Sequence, residues 1–377
     1  MKKYIPHALY ILILGSLCLV AKIISSDPLY DFDMVCYMGV MLELDGKNAE
    51  ELHREVYSEL KSELSPDTYE TLLDGGRALR RKCYESSDFF FHHLSFYRVK
   101  PLYNYIGYWI HKKCNLSLIS SLFCISVISY IGIGILFYHW IRASFSRISG
   151  IVVVMLVMGL APIADLLRDF TPDALSNFLI LLAVYFYFIN RKLDMSIFLM
   201  LATLARIDNF VLMVLIGVVL LFFDKFHALF INYNRGETGK ISNSRVDKLY
   251  GVILIVIGLS LFLAIPHWVG NDTNWVGKFS HTFSVSQYIS EVVFSMNAFR
   301  YSHFQLILVF GIILSPLRKY LVEQEIKILL IILLAIGVRL ILFPSFQDRF
   351  FISYELLLII VLSTLMKRSF GVSIDEE

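Results

Sequence analysis

Two aspartates separated by one residue, Asp31 and Asp33, are the first side chains in the sequence whose types and spacing suggest chemistry. A carboxylate pair at this spacing can act as a general base, as a ligand pair for a divalent metal ion, or as both. Asp33 also precedes an apolar run that begins at Met34, where an aspartate often caps a helix. The spacing alone leaves these roles open.

A second group combines cations with an aromatic residue directly before a long apolar run. Arg98, Lys100 and Tyr103 lie within residues 96–103. Guanidinium and ammonium groups are the usual protein ligands of phosphate, so this group could grip the phosphate of a lipid. The competing interpretation is that the two basic side chains extend from a membrane boundary toward water without binding a ligand.

A third group is the short segment 165–173, which holds three aspartates and Arg168. Thr171 followed by Pro172 is typical of a helix start, with the threonine as cap and the proline in the first turn. That role accounts for Pro172 better than for Asp173. We therefore expect Asp173 to contact a substrate.

A fourth group, Arg206 and Asp208, lies between two apolar segments. The first of these segments is short, so we expect both residues to lie below the outer membrane interface. Ionisable groups at that depth are expensive and mark functional sites by default. An ion pair with a purely structural role is the alternative. A weaker cluster near the end of the chain contains Arg339, Asp348 and Arg349.

The elements that must position these residues are membrane helices. Of the 377 residues, 57% are hydrophobic and 18% charged, and the mean hydropathy is +0.64. Ordinary globular domains carry roughly 25% charged residues. The apolar residues fall in blocks, which predicts an all-α polytopic membrane protein. The net charge of +2 gives no basic surface for nucleic acid.

Ten segments are candidate transmembrane helices. Several are shorter than the ~20 residues that a straight spanning helix needs, so we expect one packed bundle, a single transmembrane domain over residues 1–377. The predicted spans are 4–24, 115–141, 148–163, 174–190, 195–206, 208–223, 249–268, 304–317, 326–343 and 350–366.

The short basic loops predict the orientation of this bundle. With the N-terminus in the cytoplasm, every cytoplasmic segment carries Lys or Arg, as the distribution of positive charge in membrane proteins requires. Both termini and the loop 224–248 are then cytoplasmic, and residues 25–114 form a large outer loop. The shorter segments 162–172, 269–303 and 344–349 lie on the same outer side.

The outer loop itself contains two predicted helices. Asn48 and Glu51 have the spacing of a capping box, and an apolar residue then recurs every four positions from Leu52 to Leu64. Ser65 and Pro66 start a second helix, which the Gly75–Gly76 pair ends. We expect both helices to lie on the membrane surface; a small cap packed on itself is the alternative. Cys36 and Cys83 share this loop, as a disulfide or as free thiols.

With these pieces in order, the chain resembles a GT-C-type glycosyltransferase related to the protein O-mannosyltransferases of bacteria. The resemblance rests on the order of short motifs along most of the chain: Asp31-Phe32-Asp33, Lys100-Pro101-Leu102-Tyr103, Thr171-Pro172-Asp173, Ala205-Arg206-Ile207-Asp208 and Gln347-Asp348-Arg349-Phe350. The family often has Asp-Glu where Asp31-Phe32-Asp33 stands and a His where Lys100 stands. Some members also carry a C-terminal soluble domain that this chain lacks.

The resemblance implies inverting transfer of a sugar from a polyprenyl-phosphate carrier to a hydroxyl of a glycan, lipid or protein, at the outer face of the bacterial inner membrane. Asp33 would be the catalytic base, with Asp31 as the second candidate. No cofactor is implied, although a divalent metal at Asp31 and Asp33 stays open. The remaining roles are donor-phosphate binding by Arg98, Lys100, Arg206 and Arg349, and substrate binding by Tyr103, Asp173 and Asp208.

Two other functions compete with this one. A transporter or flippase of a lipid-linked glycan would share the bundle and an intramembrane Arg206, but it leaves the long helical outer loop unexplained. Many transporters also show internal repeats, and the two halves of this sequence differ in loop and span length. A non-catalytic partner in envelope assembly would have little use for intramembrane charges.

Overall fold

The computed structural model describes residues 5–231, 245–270, 301–342 and 348–370, together with a few positions between 285 and 293. These residues are almost entirely helical and contain no β-strand. The first part of the chain forms α1 (Ile5–Ile24), α2 (Phe32–Leu44), α3 (Ala49–Glu63), α4 (Pro66–Leu73), α5 (Ala78–Glu85), α6 (Ser87–His93), α7 (Ser95–Arg98) and α8 (Pro101–Cys114).

The rest of the chain forms longer, more apolar helices. Two short 3-10 helices, Pro316–Tyr320 and Asp348–Phe350, lie between the last three of them. The helices are α9 (Leu118–Ile141), α10 (Arg147–Met158), α11 (Ala161–Arg168), α12 (Asp173–Phe188), α13 (Lys192–Ala205), α14 (Asn209–Ile231), α15 (Arg245–Trp268), α16 (Tyr301–Leu314), α17 (Glu323–Leu342) and α18 (Ile352–Phe370).

Each predicted span except 148–163 overlaps one α-helix, and among the described helices two, α9 and α15, are long and apolar enough to cross a membrane by themselves. The span predicted over 148–163 is wrong in its boundaries. It is a bent pair, α10 and α11, whose axes turn by 69° at a break after Met158. Gly159 and Leu160 form the break, and Pro162 in the first turn of α11 cannot continue the preceding helix. The pair is a broken span or a re-entrant loop.

Helix α9 lies at the centre of the bundle and packs against α1, α8 and α12. Small residues on α9 let its neighbours approach closely. A Cβ added to Gly134 would lie 2.5 Å from Leu17 of α1, and one added to Gly132 would lie 2.7 Å from Phe178 of α12. These contacts fix α1 and α12 on either side of α9.

The outer segment confirms the two predicted helices but not their place on the membrane surface. Asn48 and Glu51 form the predicted capping box, and Pro66 lies in the first turn of α4. The apolar stripe of α3, including Leu52 and Leu60, is fully buried because it packs against α2 and α6. These apolar side chains are therefore unavailable to lipid, and the segment forms a cap on the bundle.

Helix α2 begins differently from the prediction. Its N-cap residue is Asp31, and Asp33 lies within its first turn. Helix α8, between the outer cap and α9, was not predicted as a separate element. It ends at Asn115, whose positive φ of 52° turns the chain into α9. Cys36 and Cys83 are both buried, free thiols.

Several predictions concern residues outside the described part. They are the ends of the chain (1–4 and 371–377), most of the loop 224–248, most of the outer segment 269–303, and residues 343–347 of the last outer turn.

Candidate active site

A short contact between distant parts of the chain brings the acidic groups together. The segment after α1 forms an isolated parallel bridge with the end of α11, in which the Leu29 N–H donates to the Arg168 carbonyl at 2.9 Å. Arg168 also forms an ion pair with Asp27. This bridge places Asp31 and Asp33 beside Asp169.

Asp33 is more accessible than Asp169 and Asp173, although less so than Asp31, whose side chain is 40% exposed. Its Oδ1 accepts a hydrogen bond from the Tyr97 hydroxyl at 2.8 Å. Its other oxygen lies 3.8 Å from Arg349, the only cation within ion-pair distance of it among the described residues. The side chain is 32% exposed. Asp33 is therefore fixed by the helix and by Tyr97, yet one oxygen can still reach a ligand.

Asp31 has a different environment. It caps α2 and forms an ion pair with Arg80 at 3.3 Å. It also lines a cavity of about 570 Å³ together with Tyr30, Thr68 and Asp169. Asp31 and Asp33 thus have different contacts although they are close in sequence. We therefore expect substitutions of the two residues to have different effects.

Lys100 is the cation of the site with the least compensation by carboxylates. It precedes α8 and donates a hydrogen bond to the Tyr37 hydroxyl, while its ammonium lies about 5 Å from the ring centres of Tyr37 and Tyr97. Within the described ranges no carboxylate lies within 4.0 Å of it. Burial lowers the pKa of Lys100 to about 8, although Asp33 acts in the opposite direction. An arriving anion would supply the missing counter-charge.

Arg349 connects the C-terminal part of the chain to the acidic cluster. Its guanidinium lies 2.8 Å from Asp169, 3.4 Å from Asp173 and 3.8 Å from Asp33. Burial raises the pKa of Asp169, and Arg349 partly offsets this effect. Asn177 accepts from the Ser353 N–H at 3.0 Å and donates to the Arg349 carbonyl at 3.3 Å, which fixes the backbone of the short 3-10 helix and of the first turn of α18.

Arg206 is held by two carboxylates. Its Nε and one terminal nitrogen bind Asp208 at 3.1 and 3.0 Å, and the other terminal nitrogen forms an ion pair with Asp173. Asp208 also pairs with Arg339 of α17 at 3.1 Å. The ion pair proposed as the structural alternative is therefore present, and a role for Arg206 in phosphate binding stays a prediction.

Phe350 lies among three guanidinium groups. The central carbons of Arg206, Arg339 and Arg349 lie 4.4, 4.2 and 5.4 Å from the centre of its ring. Cations prefer the face of an aromatic ring at such distances. The ring therefore spaces these positive groups while the carboxylates around them balance their charge.

The other predicted site residues lie at the edge of this cluster or outside it. Tyr103 is completely buried and stacks edge-on against Tyr37, so it supports the site rather than facing an open cleft. Arg98 binds Glu43 at 2.7 Å and lines a separate cavity. Asp173 is almost fully buried, with a side-chain exposure of 3%. It accepts from the Thr171 hydroxyl and pairs with two arginines.

Four residues of the cluster were given no role in the predicted site: Tyr37, Tyr97, Asp169 and Arg339. Arg339 had a usable signal, because an arginine in the last turn of an apolar helix, with apolar residues on both sides, needs a partner. Asp169 is one of three aspartates in segment 165–173, and the sequence does not show which of them lies in the site. The two tyrosines had no signal, since the chain contains 21 of them.

The part of the chain that the structure describes contains no group of three or more His, Cys, Asp or Glu side chains that could hold a metal ion. A metal ion at Asp31 and Asp33 stays a prediction from their spacing. The two carboxylates have different partners, Arg80 and Tyr97.

Comparison of the chain with protein-family models, with curated proteins and with solved structures found no match.

Proposed function

We propose that this chain is a membrane glycosyltransferase that moves a sugar from a polyprenyl-phosphate carrier to an acceptor hydroxyl at the outer face of the membrane. The observation that carries the proposal is the pair formed by Asp33 and Lys100. They are an accessible carboxylate and an ammonium group without a carboxylate partner, held beside each other by the packed rings of Tyr37 and Tyr97. A base next to an anion site is what transfer from a phosphate leaving group requires.

The proposed reaction uses both groups in one step. The acceptor oxygen attacks the anomeric carbon, and its proton passes to Asp33. The bond between that carbon and the phosphate oxygen breaks, and the phosphate leaves with the electron pair beside Lys100. Attack from the face opposite the phosphate inverts the configuration. The Tyr97 hydroxyl keeps Asp33 oriented through a 2.8 Å hydrogen bond.

The placement of Arg349 supports this arrangement. It contacts Asp33 at 3.8 Å but binds Asp169 more closely, at 2.8 Å. One oxygen of Asp33 therefore stays accessible to an acceptor hydroxyl, which a tight bidentate arginine would occupy. Arg349 is also near enough to help Lys100 stabilise the leaving phosphate, whereas Arg206 is held by Asp173 and Asp208.

The membrane topology belongs to the same proposal. We infer that the ten predicted spans, one of them formed by the bent pair α10 and α11, cross or enter the bacterial inner membrane as a GT-C-like bundle, with both termini in the cytoplasm. Two of these helices are long and apolar enough to span it alone. The basic short loops support the orientation. A lipid-linked donor stays in the bilayer, which explains a site at the outer membrane interface.

The test is transfer by the purified protein from a radiolabelled polyprenyl-phosphate sugar to an acceptor extract. We expect Asp33→Asn to lower turnover about 10²–10⁴-fold with donor binding intact, the usual contribution of a general base. The matched control is Asp88→Asn, which changes an exposed aspartate in the first turn of α6. Near-normal transfer by Asp33→Asn would remove Asp33 from the chemistry.

Asp31→Asn separates the two aspartates. Asparagine caps a helix as well as aspartate does, so α2 should still form. We expect a smaller loss of turnover than for Asp33→Asn, because Asp31 faces Arg80 and not Lys100. If the labelled lipid crosses the membrane of reconstituted vesicles with its sugar bond intact, the protein is a transporter or flippase instead.

A further inference from the structure

A second cavity lies between α2, the end of α7, α8 and the end of α15, and its lining contains neither Asp33 nor Lys100. Its volume is about 240 Å³, room for about eight water-sized groups. Part of its wall is apolar, from Val40, Leu44, Pro101 and Val269. Its polar lining comes from Glu43, Arg98 and Asn104.

Two aromatic residues border this cavity on the outside. Tyr105 and Trp268 are stacked, with ring centres 6.4 Å apart, and they are 48% and 63% exposed. Trp268 is the last residue of α15, one of the two helices long enough to cross a membrane alone. Tyrosine and tryptophan with one wet and one apolar side concentrate where lipid headgroups begin. The cavity therefore opens at headgroup depth.

The polar lining contains an ion pair and one buried acceptor without a hydrogen-bond partner in the described part of the chain. Arg98 and Glu43 form an ion pair at 2.7 Å, so this wall presents one positive and one negative group together. Asn104 is 1% exposed and donates its Nδ2–H to the Tyr97 carbonyl at 2.9 Å. Its Oδ1 has no hydrogen-bond partner among the described residues. A buried acceptor without a donor is costly, so a ligand with N–H or O–H groups would be favoured here.

We propose that this cavity binds the headgroup of a zwitterionic phospholipid that carries N–H donors, a phosphatidylethanolamine. Its phosphate would lie beside Arg98, and its ammonium group beside Glu43 and the Asn104 Oδ1. The acyl chains would leave past Tyr105 and Trp268 into the bilayer. The phosphoethanolamine group is small enough for a cavity of about 240 Å³.

The same lining disfavours other common headgroups. A choline group has no N–H donor for the Asn104 oxygen. A headgroup with negative charge alone would meet Glu43 without a compensating ammonium. This inference does not depend on glycosyl transfer, since a resident lipid would serve a transporter equally well.

The experiment is native mass spectrometry of the delipidated protein in detergent, with phosphatidylethanolamine, phosphatidylcholine and phosphatidylglycerol of identical acyl chains. We expect about tenfold tighter binding of phosphatidylethanolamine, the effect of roughly one hydrogen bond to a charged group. Glu43→Gln and Asn104→Leu should each remove this preference and leave phosphatidylcholine binding unchanged.

A matched pair of tryptophan variants tests the position of the lipid. Trp268→Leu should weaken phosphatidylethanolamine binding, while Trp109→Leu changes an equally exposed tryptophan of α8 that does not line the cavity and should have no effect. Equal affinity for the three lipids, or an unchanged preference in Glu43→Gln, would overturn the proposal. So would displacement of bound phosphatidylethanolamine by equimolar polyprenyl phosphate, because the cavity would then be a donor site.

Discussion

At the residue scale, the site is defined by how unevenly its charges are compensated. Arg206 and Arg349 each contact at least two carboxylates, whereas Lys100 has tyrosines around it and no carboxylate within 4.0 Å in the described ranges. Paired charges hold helices in place, because their interactions are already satisfied. A group whose charge is uncompensated gains most from a ligand, so Lys100 is the residue at which an anionic donor should bind first.

Donor binding should therefore depend on pH through Lys100. Its pKa is lowered to about 8 by burial, so the ammonium form that attracts a phosphate predominates below pH 8 and is lost above it. We expect donor affinity to be constant below about pH 7.5 and to fall by up to tenfold per pH unit above pH 8. Binding of a labelled polyprenyl-phosphate sugar between pH 6 and 10 measures this.

Two variants sharpen that measurement. Lys100→Arg should move the loss of affinity beyond the accessible pH range, because a guanidinium stays charged. Lys113→Met removes an exposed lysine at the other end of α8 and should leave the profile unchanged. A profile of the wild type that is flat from pH 6 to 10 would exclude Lys100 as the phosphate ligand.

Arg206 should differ from Lys100, because we expect its removal to have a large effect on stability. Its removal leaves Asp173, with a side-chain exposure of 3%, short of one of its two cations. Breaking a buried ion pair from one side costs about 3–5 kcal/mol. We expect Arg206→Ala to lower the thermal unfolding midpoint in detergent well below that of Arg142→Ala, which removes an exposed arginine. An unchanged midpoint together with lost donor binding would identify Arg206 as a phosphate ligand instead.

At the scale of elements, glycines decide how closely the helices pack. Gly217 of α14 and Gly251 of α15 face each other: a Cβ on Gly217 would lie 2.7 Å from the Gly251 carbonyl oxygen, and one on Gly251 would lie 2.8 Å from that of Gly217. Small residues allow such backbone contact between membrane helices. The close approach positions α15 and, at its end, Trp268.

Alanine substitutions separate this contact from helix propensity. In Gly217→Ala the added methyl group meets backbone atoms, so we expect a loss of about 1–3 kcal/mol of stability despite the better helix former. Gly15→Ala in α1 has nothing within 4 Å of the new Cβ and should be neutral or stabilising. Thermal unfolding of both variants in one detergent gives the comparison. Equal shifts would show that α14 and α15 do not pack through these glycines.

At the scale of the whole molecule, the cap formed by α3 to α7 and the bundle belong to one packed unit. The buried stripe of α3 contacts α2, and α2 packs against α8 and α9 at the centre of the bundle. Because Asp33 lies in the first turn of α2, the cap and the bundle position it together. This arrangement puts the cap at the same end of the bundle as the end of α11 and the start of α12.

Topology can be measured with single cysteines. After replacement of Cys18, Cys114 and Cys124 by alanine, we expect a membrane-impermeant maleimide to label Glu50→Cys in intact cells. Gly236→Cys, a position outside the described residues, should be labelled only after the membrane is opened. Labelling of Gly236→Cys from outside would contradict the ten-span topology.

The sequence by itself determined where most of the long helices are. Apolar blocks predicted one helix for each candidate span except 148–163, and capping motifs such as Asn48 with Glu51 predicted two helices of the cap, α3 and α4. These signals lie in consecutive residues, so they can be read without knowing the fold. The same is true of the individual acids and cations, whose types already indicated phosphate and proton chemistry.

Only the tertiary structure decided which of these groups meet. Asp169 and Arg349 are 180 residues apart in sequence but 2.8 Å apart in space. Arg98 and Lys100 are only two residues apart, yet Arg98 pairs with Glu43 and Lys100 donates a hydrogen bond to Tyr37. The break between α10 and α11, the Leu29–Arg168 bridge and the turn before α18 produce these contacts. Side-chain partners depend on how distant helices pack. Local periodicity and capping do not encode that packing.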